Sequence, residues 1–185
     1  LYIVEEPELE GERFSESSAV KLAWRIVFLY PDHKHDAEAV SVDAAGGKVL
    51  ILTKRDNPPL LFELPLIPSD DLVVAKKTAA VSQIPPPSDE DLLQNYGKYR
   101  SQPTALDLSP DGRQAVVLTY KHAYIFNRKR HNSWAAALSG HPETVHLPLP
   151  QDQSDFRQRE AICFMAGSRA LLITSEGHGA GLYRL

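Results

Sequence analysis

Three stretches of the chain share one pattern, and this repeat limits the fold more than any single residue does. They are residues 38–53, 104–119 and 160–174. Each reads as an apolar strand, a short polar turn and a second apolar strand that ends in Thr, and a third short strand soon follows. Strand-built self-similarity at a period of about 40–50 residues is typical of propeller blades. The sequence therefore predicts an all-β fold of the β-propeller class.

The predicted blades follow one another along the chain. A two-strand remnant, two full blades and a three-strand blade are expected at residues 1–30, 38–84, 104–149 and 160–185, respectively. Gly46-Gly47 and Ser109-Pro-Asp-Gly112 supply the hairpin turns of the full blades, because Gly accepts the positive φ that such turns need. The fourth strand of the first full blade is expected at residues 79–84. The chain is thus predicted to be a single partial propeller of about three blades.

Residues 85–102 are predicted to form a loop insertion within the propeller, because the repeat resumes after them in the same frame. Ser88 precedes three acidic residues, which is typical of a helix N-cap, and Gly97 would end a helix of about two turns. A second short helix is predicted between Asn132 and Gly140 on the same grounds.

Composition excludes several classes of function. The chain of 185 residues is 43% hydrophobic and 24% charged, and its formal net charge is −4. Mixed charge of this size gives no electrostatic case for a nucleic-acid partner. We also expect no membrane span, since no apolar run approaches the roughly 20 residues that a spanning helix needs. Cys163 is the sole cysteine, which excludes an internal disulfide and leaves the redox compartment open.

An arc of about three blades predicts a partner. Propellers close with about four to eight blades, and an open arc leaves two apolar faces in water. We therefore expect a missing N-terminal propeller half, a second chain or self-association to complete the ring. The alternative is a small self-contained curved sheet or sandwich of thirteen strands.

Seven short segments carry a resemblance to a known family. They are Tyr30-Pro-Asp-His-Lys-His-Asp-Ala-Glu-Ala-Val40, Leu52-Thr-Lys54, Leu108-Ser-Pro-Asp-Gly-Arg113, Thr119-Tyr120, Glu160-Ala-Ile162, Ser175-Glu-Gly177 and Leu182-Tyr-Arg184. In these segments the chain resembles the C-terminal half of a family of uncharacterised bacterial β-propeller proteins, akin to the six-bladed propellers of the TolB, phytase-like and lactonase groups. The resemblance implies a six-bladed ring and an exported, periplasmic location.

One slot of the repeat is occupied by Glu38, Thr104 and Glu160. It lies at the start of the innermost strand, and the resemblance to lactonase-type propellers implies a divalent cation at that place. Two carboxylates and a hydroxyl would supply part of such a site, and oxygen-only ligands favour calcium. The alternative is that Glu38 and Glu160 accept hydrogen bonds from backbone amides or from channel water.

The densest group of ligand-type residues is His33, His35, Asp36 and Glu38. Its spacing is only weakly indicative of zinc, and turns commonly carry such residues for structural reasons. His35 is the candidate general base, because the unperturbed pKa of histidine lies close to neutrality.

Polar residues at the ends of the second strands are candidates for ligand contacts at one rim. They are Lys54, His122, Glu176 and His178. Loops on one rim of a rigid scaffold often carry binding residues, although such residues are also common at solvated hairpin tips.

Two functional hypotheses remain open from the sequence. The first is a ligand-binding or scaffold propeller without catalysis. The second is a metal-dependent hydrolase, lactonase or phosphoesterase-like, in which Glu38 and Glu160 bind the cation and His35 acts as base. No nucleophile elbow, His-Glu-x-x-His motif or phosphate-binding glycine loop is present.

Overall fold

The computed structural model describes residues 1–6, 20–147, 158–167 and 170–185. The parts of the predicted blades at 7–19, 148–157 and 168–169, including the end of the 104–149 blade, lie outside the described residues. The strands are β1 Tyr2–Val4, β2 Leu22–Leu29, β3 Ala37–Asp43, β4 Lys48–Thr53, β5 Leu60–Pro65, β6 Ser69–Val74, β7 Lys76–Ala80, β8 Pro103–Leu108, β9 Gln114–Thr119, β10 His122–Asn127, β11 Glu143–His146, β12 Arg159–Phe164, β13 Leu171–Ser175 and β14 Tyr183–Arg184. The helices are α1 Asp89–Leu92, the 3₁₀ helix Gly97–Tyr99 and α2 Trp134–Leu138.

The strands form four sheets. In spatial order these are β1-β2-β6, β3-β4-β5-β7, β8-β9-β10-β11 and β12-β13-β14, called here the first to fourth sheets. All pairings are antiparallel except that of β2 with β6. The prediction of an all-β protein is confirmed. The described residues contain no closed ring or barrel, so the propeller itself stays a prediction. No described helix is long and apolar enough to cross a membrane.

The segment after β5 differs from the sequence prediction. The fourth strand of the second sheet is Lys76–Ala80, not 79–84, and the additional strand Ser69–Val74 joins the first sheet. The chain changes sheets at the buried Ala75, whose N–H donates to the Leu29 carbonyl at 2.8 Å. Two aspartates in β6 interrupt the apolar pattern that would otherwise have marked it as a strand.

The sheets pack face to face in chain order, with an apolar cluster in each of the three interfaces. Both middle sheets are therefore covered on both faces. In β4, Leu50 and Leu52 contribute to the interface with the third sheet, whereas Val49 and Ile51 contribute to that with the first. Burial on both faces explains why these strands read as continuous apolar runs instead of alternating ones.

The outward face of the first sheet has no such cover among the described residues. Val27, Leu29 and Val74 are 42%, 54% and 60% exposed. Leu29 and Val74 are direct partners in the β2–β6 pairing, and Val27 precedes Leu29 by two positions. They consequently share one face of the sheet.

The two short helices begin where the sequence predicts. Ser88 caps α1 in a reciprocal capping box with Asp91, although α1 has only four residues instead of two turns. Ser133 caps α2, and its hydroxyl accepts from the Ala136 N–H at 3.1 Å. The buried Trp134 of α2 donates from Nε1 to Asp43 Oδ2 at 2.9 Å. This bond joins the helix to the first hairpin of the second sheet.

The first strands of three successive sheets are neighbours, since β8 contacts both β3 and β12. Each of these strands also carries the same irregularity. The register with its hairpin partner shifts between 37 and 39 in β3, between 103 and 105 in β8 and between 159 and 161 in β12. The sequence repeat is thus matched by a register shift at the same place in each of these three strands. The residues at these shifts mark the candidate site.

Candidate functional site

The three residues at these register shifts are Glu38, Thr104 and Glu160. A bulge redirects a side chain away from the regular alternation of its strand. The slot that the sequence singled out is therefore a real structural position in each of the three sheets.

A continuous hydrogen-bonded chain of four side chains runs across this position. Lys54 Nζ donates to Glu38 Oε2 at 2.5 Å and to the Tyr120 hydroxyl at 2.9 Å. The Tyr120 hydroxyl in turn donates to Glu160 Oε1 at 3.0 Å. We call Glu38, Lys54, Tyr120 and Glu160 the polar chain. It connects the second, third and fourth sheets through groups that are up to 122 positions apart in sequence.

Burial and pairing set the electrostatics of the polar chain. The Lys54 side chain is 9% exposed and that of Glu38 is 38% exposed. Burial alone would lower the pKa of Lys54, but the hydrogen bonds to Glu38 and Tyr120 outweigh it, so the pKa is raised. Burial and the bond to Glu160 raise the pKa of Tyr120 against the opposing effect of Lys54. The polar chain joins one lysine to two glutamates, which gives it a formal net charge of −1.

Thr104 bonds to the backbone and not to the side chains that the two glutamates contact. Its hydroxyl donates to the Arg159 carbonyl at 2.7 Å, and Arg159 Nη1 donates to the Tyr120 carbonyl at 3.0 Å. These bonds join the third and fourth sheets beside the polar chain. The structure thus brings Glu38 and Glu160 to the two ends of one network and directs Thr104 to the backbone. A cation held by all three residues stays a prediction.

His35 lies in the turn before β3 and is fixed on both sides. Its Nδ1 is 2.9 Å from Asp56 Oδ2, its Nε2 is 2.9 Å from Asp32 Oδ1, and its side chain is 1% exposed. Burial opposes protonation, but the two carboxylates outweigh it and raise the pKa of His35. Because a general base needs a free lone pair, this geometry favours a role in fixing the turn. The assignment of His35 as the base remains untested.

The four predicted rim residues lie in different surroundings, and their grouping at one rim stays a prediction. Lys54 is buried in the polar chain, whereas Glu176 and His178 are exposed at the fourth sheet. His122 is half-buried, with its ring 4.9 Å from that of His146. Burial, then the charges of His146 and Lys121, lower its pKa.

Three buried residues in or near the network, Tyr120, Arg159 and Asp91, were not among the predicted site residues. The alignment of the repeats places Tyr120 in the slot that Lys54 occupies in the preceding sheet, but an aromatic residue there gives no sign of its hydrogen bonds. Arg159 directly precedes a predicted ligand, but nothing in its context marks it as buried. Asp91 reads as an ordinary helix-start acid, yet it is buried and accepts from Arg100 Nη1 at 2.9 Å and from Lys121 Nζ at 2.8 Å.

A shallow groove of about 420 Å³ lies elsewhere, on the first sheet. Its lining comes from 22–25 and 68–70, and it shares no residue with the polar chain. The groove has no cluster of titratable groups that would suggest chemistry.

Comparison with known proteins adds little to this geometry. No protein-family model matches the chain, and no curated protein matches it. Among solved structures, it is similar to a protein of Bacteroides uniformis that is provisionally named a 6-phosphogluconolactonase. The two share 15% identity with a TM-score of 0.45, and the match covers 92% of this chain and 46% of the other. The chain thus spans about half the length of that protein, and a likeness of this size carries no argument about fold or activity.

Proposed function

We propose that the chain is a non-catalytic ligand-binding sector of a β-propeller, with the binding site at the polar chain. Three features support the propeller part of this proposal. The sheets stack face to face, the first strands of successive sheets are neighbours, and the same bulge recurs in β3, β8 and β12. Radially repeated blades would stack face to face with their first strands adjacent around the centre, and a recurring bulge is typical of a repeated unit.

The polar chain is the observation that carries the binding part. Its acceptors and donors alternate in the order Glu38, Lys54, Tyr120, Glu160. The net charge of −1 disfavours an anionic ligand, and the Lys54 ammonium disfavours a free cation. A hydroxyl group both donates and accepts, so a neutral polyhydroxylated molecule such as a sugar or polyol is the ligand class that suits this array best.

The partly exposed end of the array is where such a ligand would enter. Glu38 keeps more than a third of its side chain exposed, and Glu160 is half-buried. Hydroxyls of a ligand would replace water on these carboxylates, while Lys54 and Tyr120 hold both in place. The ring would be completed by a second copy or by another polypeptide.

The test is a thermal-shift and calorimetric screen of neutral sugars and polyols against the intact chain. We expect at least one compound to raise the melting temperature, and Glu160→Gln to weaken its binding at least tenfold. Glu176→Gln is the matched control, because Glu176 follows the second strand of the same sheet but is exposed. If no compound binds, or if both variants bind like the wild type, the proposal fails.

A second candidate function is metal-assisted hydrolysis with the cation on Glu38 and Glu160. The observation in its favour is that both carboxylates sit on equivalent bulges and face one network. Calcium would have to displace Lys54 from Glu38 and the Tyr120 hydroxyl from Glu160. Stabilisation by calcium that is lost in both Glu38→Gln and Glu160→Gln would favour this candidate over the first.

A further inference from the structure

A second cluster of ligand atoms lies outside the polar chain, in the turn between β2 and β3. It consists of Asp32, His33 and His35, and the potential ligand atoms of all three lie within 4.8 Å of one another. His35 Nε2 is 2.9 Å from Asp32 Oδ1, and His33 Nδ1 is 3.8 Å from Asp32 Oδ2. Ligand atoms of a tetrahedral zinc ion are about 3.4 Å apart, given zinc–ligand bonds of about 2.1 Å. Both observed separations lie within about 0.5 Å of this value, each measured to a different oxygen of the Asp32 carboxylate.

Asp56 contacts the cluster through His35 and is not itself one of the three potential ligands. Its Oδ2 accepts from His35 Nδ1 at 2.9 Å, which leaves Nε2 as the ring nitrogen that faces Asp32 and His33. Metal-binding histidines usually donate their other ring N–H to a carboxylate in this way. The carboxylate fixes the ring orientation before any ion arrives, and an ion at Nε2 would take the place of the hydrogen bond to Asp32 Oδ1.

Apolar packing fixes the same ring. The His35 ring centroid is 4.9 Å from that of Tyr30 and 5.0 Å from that of Phe62, and Phe62 is fully buried. On the other side, the His33 side chain is 69% exposed and that of Asp32 is 36% exposed. The cluster therefore combines one rigid ligand with two ligands that an ion can reach from solvent.

The ammonium group of Lys77 already lies near the cluster. Lys77 Nζ is 3.6 Å from Asp32 Oδ2, but its side chain is 45% exposed and can turn into solvent. The other Asp32 oxygen accepts from the His33 N–H at 2.9 Å. Binding of an ion would thus require Lys77 to turn away from Asp32 and the contact between His35 Nε2 and Asp32 Oδ1 to open.

We propose that Asp32, His33 and His35 bind a divalent transition-metal ion, with zinc as the best match, and leave a fourth position for water or a ligand. Two imidazoles and a carboxylate suit zinc better than calcium or magnesium, which prefer oxygen ligands. This site is independent of the function proposed for the polar chain, because the two share no residue.

The experiment is calorimetric titration of zinc into the intact chain, with calcium as the comparison ion. We expect one zinc per chain and no calcium binding at this site. His33→Ala should weaken zinc binding at least tenfold without unfolding, because His33 is exposed. Asp56→Asn should weaken it about tenfold through its contact with His35. His178→Ala, which removes another exposed histidine, is the matched control and should bind zinc like the wild type.

Cobalt provides an independent readout. Cobalt in place of zinc should give the absorption bands of a tetrahedral ion in the wild type and not in His33→Ala. The proposal is overturned if the wild type binds no zinc, if His33→Ala binds it with unchanged affinity, or if His178→Ala loses as much affinity as His33→Ala.

Discussion

At the scale of single residues, Asp91 is a buried carboxylate with three side-chain partners. Its carboxylate accepts hydrogen bonds from Ser88, Arg100 and Lys121. Burial alone would raise its pKa, but the bonds from Lys121, Ser88 and Arg100 outweigh this and hold the pKa well below the usual value. These bonds fasten the 85–102 insertion to the end of β9.

We predict that Asp91→Asn destabilises the protein by about 2 kcal/mol at pH 7, the magnitude expected for hydrogen bonds to a charged group. Since the folded-state pKa is depressed, this contribution exists above the unfolded-state pKa of about 4 and is lost as the pH falls below it. Urea unfolding at several pH values should therefore show the two proteins converging in acid. Asp89→Asn, in the same helix but exposed, should change stability by less than about 0.5 kcal/mol. A difference that persists undiminished at pH 2 would contradict the assignment.

Individual site residues could be predicted from the sequence only where the repeat marked them. Alignment of the repeats identified Glu38, Thr104 and Glu160, and all three sit on equivalent bulges. It could not show that Lys54 reaches Tyr120, because that contact spans 66 positions and depends on how the sheets pack.

At the scale of elements, α2 links two sheets through one residue. Trp134 is 2% exposed, donates to Asp43 and packs against the Arg128 guanidinium at 4.1 Å. The helix has only five residues, so it depends on this packing and on its cap.

We expect Ser133→Ala to cost about 1 kcal/mol, because it removes the cap that accepts from the Ala136 N–H. Chemical denaturation would measure the loss. Ser69→Ala is a suitable control, since the Ser69 hydroxyl is exposed and donates only to the nearby Asp71 carbonyl. Equal effects of the two substitutions would argue against the cap.

Local signals made most elements predictable, and the exceptions have a physical cause. Capping residues and turn glycines located both helices and the hairpins, including Gly47 and Gly112, which adopt positive φ. The sequence did not reveal β6, because its parallel pairing with β2 depends on a partner about 40 positions away and its Asp70-Asp71 pair interrupts the apolar pattern. Non-local pairing of this kind leaves little trace in a short window.

At the scale of the whole molecule, the first sheet has an outward apolar face that no described residue covers. Burying an exposed Val or Leu is worth about 1.5–3 kcal/mol, so this face favours association. We predict that the chain associates at micromolar concentration in light scattering, and that Leu29→Glu shifts it toward the monomer. Leu93→Glu replaces an even more exposed leucine in the 85–102 insertion and should leave the assembly unchanged. A stable monomer at that concentration would contradict the prediction.

The central claim is that successive sheets meet at the polar chain. A double-mutant cycle on Lys54→Met and Tyr120→Phe measures this contact directly, through the free energy of unfolding of the wild type, both single variants and the double variant. We predict a coupling energy of about 1–2 kcal/mol, as for charged groups in direct contact. The same cycle with Tyr124→Phe, another buried tyrosine of the third sheet, should give a coupling within about 0.5 kcal/mol of zero. Additive effects of Lys54→Met and Tyr120→Phe would contradict the account.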